Sequence, residues 1–125
     1  MNGQEMLNYK NWAVVGDVLN PSKFAHKIKN RLIDAGYNVF LINPRDKSGE
    51  VFLSLKDIKE QIDVIDLCIN PNTGMKIIEE AHELGINKVL IQPGAGSEEI
   101  KSFCKEKGIT YLESCVLVEL SKKGI

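Results

Sequence analysis

Two glycines are missing where a dinucleotide site would want them. The stretch "WAVVGDVLNPSK", Trp12 to Lys23, runs through apolar residues into Gly16, as the first strand of a nucleotide-binding fold does. The three-glycine fingerprint would continue at positions 18 and 21, where Val18 and Pro21 stand. Other absences narrow the field. No apolar run reaches the ~20 residues that cross a bilayer, and the polar start "MNGQEMLNYKN" lacks the layout of a signal peptide. There is no C-x-x-C: Cys68, Cys104 and Cys115 are few, odd in number and far apart, and read as reduced, mostly buried thiols of a cytoplasmic protein. No G-x-S-x-G, no P-loop and no metal-ligand spacing occurs. His26 and His82 fall inside helical patterns with no acid or nucleophile beside them, and read as surface or packing histidines. No catalytic residue and no metal ligand is therefore assigned. Excess charge is missing as well: 16 basic against 17 acidic residues offer no general attraction to nucleic acid or to an anionic membrane.

What is present is an alternation of strand and helix patterns over 125 residues, enough for one domain. Short apolar runs at Trp12–Val15, Val39–Ile42, Val64–Ile69, Val89–Ile91 and Ile109–Leu112 read as strands. Between them, Phe24, Ile28 and Leu32 share a helical face, as do Ile77, Ile78, Ala81 and Leu84, and Ile100, Phe103 and Cys104. Gly36, Gly85 and Gly108 each follow a helix and precede a strand by one to three residues, the punctuation of β-α-β units. Residues 46–60 are less regular, with a short strand expected at Val51–Leu53 and a short helix near Leu55–Ile62. The terminal "SKKGI" reads as a frayed end. The expectation is one α/β domain over residues 1–125: three layers, with a mainly parallel sheet of about five strands.

All four prolines fall just beyond a predicted strand, and Asn20, Asn43 and Asn70 precede three of them. Asn before Pro is a helix-start signal, which reads Asn20 and Asn70 as N-caps. These stiffened loops also share the carboxyl rim of the sheet, where doubly wound folds bind ligands. An NAD site would put a carboxylate at the end of the second strand. Here "INPRDK" puts Asn43 and Pro44 there, followed by Arg45 and Lys47. That disfavours NAD and leaves three readings open: the 2′-phosphate of NADP, the 3′-phosphate of coenzyme A, or a solvated turn. Lys23 and the free N–H groups of a helix starting near Pro21 or Ser22 suit a diphosphate. Asp17 opposes one unless it turns away or caps the helix itself. Asp63 and Asp66 in "IDVIDLCIN" read as structural hydrogen-bonding groups at the sheet end, and Asp66 needs partners if it is buried.

Taken in order, "AVVGDVLNP", "AGYNVFLINPR", "SLKDIKEQIDVIDLCINP", "VLIQPGAGSEEI" and "GITYLESCVLVEL" resemble the small, stand-alone CoA-binding domain proteins. These are similar to the Rossmann-like nucleotide-binding domain of the succinyl-CoA synthetase alpha subunit. The likeness spans about Trp12 to Leu120. It implies that Gly16, Asp17 and Val18 lie along the phosphates, with Ser22 and Lys23 nearby. Asn43, Pro44 and Arg45 would border the adenosine 3′-phosphate. Asn70, Pro71 and Asn72 would meet the adenine or ribose, and Gln92 and Gly94 would line the path of the pantetheine arm. Asp17-Val18 stands where the family commonly has small residues such as Ala-Ser, and "QPGAG" is richer in glycine and proline than the usual fourth loop. The synthetase's phosphorylated histidine belongs to a domain that has no counterpart here, so ligase chemistry does not carry over. The implied function is non-catalytic binding of coenzyme A or an acyl-CoA, accessory or regulatory. An NADP-binding enzyme or subunit, and an interaction protein with a decayed nucleotide site, stand as alternatives. The expected partner is a small-molecule nucleotide, not nucleic acid or membrane, and a protein partner is left open.

Overall fold

In the computed structural model, which describes residues 1–125, five strands form one sheet: β1 Asn11–Gly16, β2 Asn38–Ile42, β3 Val64–Cys68, β4 Lys88–Ile91 and β5 Thr110–Glu113. Every pairing is parallel, in the order β2-β1-β3-β4-β5, so the expected mainly parallel sheet is wholly parallel. The apolar content of the strands follows from that topology, because helices cover both faces of a parallel sheet. On one face, helices α1 (Gly3–Met6), α2 (Phe24–Asp34) and α5 (Val116–Lys123) enclose a core that includes Trp12, Val14, Ile28, Leu32 and Leu120. On the other, α3 (Pro71–Glu83), α4 (Glu98–Lys107) and a 3₁₀ turn at Leu55–Asp57 enclose Val15, Ile65, Leu67, Ile78 and Ile100. Each such fully buried aliphatic side chain contributes roughly 1.5–3 kcal/mol. The fold is Rossmann-like α/β. No helix is long and apolar enough to cross a membrane.

The strand order reverses direction between β1 and β3, and the ligand crevice of such a sheet opens at that switch point. Chain chemistry brings the loops there. Gly16 ends β1 directly opposite Cys68 of β3, so close that a Cβ on Gly16 would collide with the Cys68 carbonyl oxygen. Gly36, Gly85 and Gly108 all have left-handed backbones behind helices, as their spacing predicted. The prolines lie beyond strand ends as expected.

Several local expectations change. Asn70 caps α3 through the Thr73 N–H at 3.0 Å, with Pro71 in the first turn, but Asn20 caps no helix. Its Oδ1 instead accepts from the Ser22 N–H (3.1 Å) and hydroxyl (2.8 Å), closing a tight turn that delays α2 to Phe24. On α2 the buried face is Ala25, Ile28 and Leu32; Phe24 is left 64% exposed. Likewise Leu84 lies at the end of α3 and is exposed. Val51–Leu53 contributes only a parallel bridge from Phe52 to Ile42 at the edge of β2, and the helix near Leu55–Ile62 shrinks to the 3₁₀ turn. The C-terminal residues are not frayed: α5 continues through Lys123, and Arg31 donates to the Ile125 carbonyl at 2.8 Å. The three cysteines are free thiols, of which Cys104 alone is buried.

Candidate functional site

The loops after β1, β2 and β3 converge on a cleft of about 560 Å³ at the switch point. Five of the residues singled out from the sequence line it: Asp17, Lys23, Asn43, Arg45 and Asn70. Phe24, Ala25, Cys68 and Ile69 complete the lining. None of those four was anticipated. A signal for Phe24 existed, because the spacing 25, 28, 32 makes as good a helical face as 24, 28, 32 and releases the aromatic ring.

Helix α2 points its N-terminus into this cleft. Its N-cap, Lys23, gives no side-chain acceptor, and neither the Phe24 nor the Ala25 N–H finds a backbone acceptor. The first turns of α1, α3 and α4 are closed by Asn2, Asn70 and Ser97 respectively. The first turn of α5 is closed from a distance, by Gln92 Oε1 accepting from the Val116 N–H at 2.9 Å. Two free amide donors and the positive end of a helix dipole therefore meet two cations, Lys23 and Arg45, neither of which has an ion-pair partner. The Arg45 backbone is held by its N–H donating to Asn43 Oδ1 at 3.0 Å, which sets the rim after β2. Asp17 also faces the cleft. It neither turns away nor caps α2; Asn20 Nδ2 donates to its Oδ2 at 3.2 Å.

The remaining sequence candidates lie elsewhere. Val18 is fully buried in the core, with its N–H donating to the Gly16 carbonyl at 2.9 Å, so neither its side chain nor its amide faces a ligand. Gly16 lies outside the lining too, packed at the end of β1 against Cys68, which does line the cleft. Ser22 is spent on Asn20, while Pro44 lies at the β2 rim outside the lining. Pro71 and Asn72 belong to the first turn of α3, also outside it. Gln92 is 5% exposed, its side-chain Oε1 occupied by the start of α5, and it borders a hollow beside Lys101. Gly94 borders two further hollows. One, of about 270 Å³, shares Cys68, Ile69 and Asn70 with the main cleft. The other, of about 380 Å³, lies under Lys101, which pairs with Glu98 at 3.0 Å and Glu113 at 3.3 Å.

The thiol that lines the main cleft is held in its protonated form. Burial, then the neighbouring Asp66 and Cys115, pushes the Cys68 thiol up to about 12. His26 lies on α2 beside Asn30, and His82 packs edge-on against Phe103 at 5.9 Å. Asp63 accepts from the Asn11 N–H at 3.1 Å, the structural role expected of it. Asp66 departs from expectation: it is completely buried in the middle of β3, and neither carboxylate oxygen has a partner. Burial holds its carboxyl well above the ordinary aspartate range. The arrangement as a whole can receive a phosphate or diphosphate on backbone amides and two cations beside an apolar wall.

Comparison with known proteins identifies the family and the fold. A family model described as "CoA binding domain" matches residues 10–121. The uncharacterized protein YneT of Bacillus subtilis (strain 168) is 29% identical over 113 residues, covering 87% of this chain and 84% of that protein. A conserved hypothetical protein from Pyrococcus furiosus superposes with a TM-score of 0.81 at 33% identity, covering 89% of this chain and 99% of the other. A protein structure from Thermus thermophilus superposes with a TM-score of 0.81 at 31% identity, covering 98% of each chain. The amide-and-cation cleft, the parallel sheet and a family match that runs from Lys10 to Ser121 lead to one conclusion: the chain belongs to the CoA binding domain family.

Proposed function

We propose that the protein binds coenzyme A, free or acylated, in the switch-point cleft and serves as an accessory or regulatory binder without chemistry of its own. On this reading residues 1–125 form one ligand-binding domain. The observation that carries it is the uncapped start of α2, whose Phe24 and Ala25 amides open beside the unpaired Lys23 and Arg45. A diphosphate satisfies the two amides and Lys23, and Arg45, just beyond the end of β2, reaches the ribose phosphate. The hollow shared through Cys68, Ile69 and Asn70 then offers the pantetheine arm a path toward Gly94. Membership in the CoA binding domain family supports the choice of coenzyme A over a dinucleotide such as NADP.

Calorimetric titration with CoA, dephospho-CoA and NADP tests the assignment. The expected result is saturable binding of CoA that weakens without the 3′-phosphate. Arg45→Ala should weaken CoA roughly ten- to a hundredfold, about 1.5–3 kcal/mol for a charge-assisted contact, and leave dephospho-CoA almost unchanged. Equal losses for both ligands would remove Arg45 from that role. Preferential binding of NADP, with turnover of a reduced nicotinamide, would move the protein to the enzyme class. Asp17 favours a second reading, because its carboxylate faces the same cleft and repels a diphosphate. In that case the site has lost its nucleotide and the rim serves a protein contact. A folded, ligand-free protein that gives no heat with any of the three compounds would select it.

A further inference from the structure

We propose that Phe24 is the stacking platform for the purine ring of the nucleotide that occupies the cleft, and so selects an adenine-bearing ligand. The inference rests on the coenzyme A reading and assigns it a specificity residue. Among the large apolar side chains left in solvent, Phe24 is the most exposed, at 64% against 51% for Leu53 and 50% for Ile33 and Val118. It is also the one among these four that lines the cleft. Local helix geometry explains how it comes to be there: Ala25, Ile28 and Leu32 take the core face of α2, which turns the preceding side chain out toward the mouth. An exposed phenyl ring gains nothing for folding, whereas a planar partner laid on it in offset stacking removes apolar surface from water and adds a favourable ring–ring attraction.

The surroundings match a base better than an alkyl chain. Lys27 Nζ lies 5.5 Å from the ring centroid, a cation on the ring that leaves most of its surface open. Lys23, Arg45 and Asp17 line the same cleft and put charge there, which a purine's polar edge tolerates and a hydrocarbon does not. Asn70 uses Oδ1 to cap α3, so its Nδ2 donors remain for a ring nitrogen. Finally, the Phe24 amide is one of the two free donors at the helix start. A phosphate on that amide and a base on the same residue's ring stand within the reach of one nucleotide.

The test compares Phe24→Ala, Phe24→Leu and Phe24→Trp by calorimetry against CoA and adenosine 3′,5′-bisphosphate, with thermal melts to show that an exposed position leaves the fold intact. Stacking predicts that Ala and Leu both weaken each ligand about tenfold while Trp holds or improves affinity. Full affinity in the Leu variant would reduce Phe24 to generic apolar packing and overturn the proposal, as would a loss for CoA that adenosine bisphosphate does not share. Wild-type binding of adenosine bisphosphate without CoA, with the same Phe24 dependence, would overturn the coenzyme assignment and keep the platform. Binding of neither ligand would overturn both.

Discussion

Replacing Asp66 by asparagine will remove a loss of stability that the wild-type protein shows as the pH rises. The carboxyl is fully buried on β3, both oxygens are unpartnered, and burial raises its pKa well above the ordinary 3.8. Below that value the folded and unfolded chains are both protonated at this site, and its relative contribution to stability is greatest. As the pH climbs, the unfolded chain releases its proton while the folded one retains it. Stability then falls by about 1.4 kcal/mol per pH unit until the folded carboxyl ionises. Glu119 has the opposite sign: hydrogen bonds from Gln4 and Ser114 lower its pKa, so its contribution is lost as the pH falls below the usual 4.5. Burial raises the thiols of Cys68 and Cys104 from 9.0 to about 12 and about 11, so their contributions fade only above pH 9. Between 4.5 and 9.0, then, neither Glu119 nor the two thiols adds to the slope set by Asp66.

Urea unfolding followed by the fluorescence of Trp12, the single and fully buried tryptophan, reads the effect directly. The wild-type midpoint should descend as the pH rises above the ordinary aspartate value of 3.8, and the Asp66→Asn midpoint should stay level. Asp66→Val, which also removes the unpaired polar group, should gain about 1–3 kcal/mol near neutrality. Parallel curves for wild type and the asparagine variant would show that the folded carboxyl does not hold its proton.

Gly16→Ala carries the other large effect, a destabilisation of about 3 kcal/mol. The added methyl would run into the Cys68 carbonyl oxygen and come within 3.1 Å of Ala25 Cβ, so either β1 must leave β3 or α2 must rise from the sheet. Both movements displace residues that line the cleft, Cys68 in one case and Phe24 with Ala25 in the other, and ligand affinity should fall with stability. Gly36→Ala is the control: nothing lies within 4 Å of its Cβ position, and only the left-handed backbone at φ 90° opposes the change, by about 1–2 kcal/mol. Comparable urea midpoints for the two variants would mean that the strands part at Gly16 without penalty.

The sequence by itself determined the architecture, because that information is local and periodic. Val- and Ile-rich runs too short for helices, apolar residues every three or four positions between them, and glycine after each predicted helix together dictate β-α-β units and a parallel sheet. The rim was legible for the same reason: Asp17, Lys23, Asn43, Arg45 and Asn70 all follow strand ends, and parallel strands deliver those ends to one edge. Only the tertiary structure decided what depends on contacts between distant parts of the chain. Helix α1 exists because Met6 is buried and Gln4 bonds Glu119, 115 positions away. Helix α5 starts where Gln92 closes its first turn across 24 positions, which no reading of "ESCVLVEL" reveals. The opening loop shows the limit most clearly. Local rules put a capped helix at Asn20-Pro21, but Asn20 turns to Ser22 and Asp17 and Val18 is drawn into the core. That leaves the helix to begin uncapped at Phe24. The missing glycines did not predict this outcome, because the loop presents amides at the start of α2 rather than at the turn, and burial of Val18 against the sheet is what puts them there.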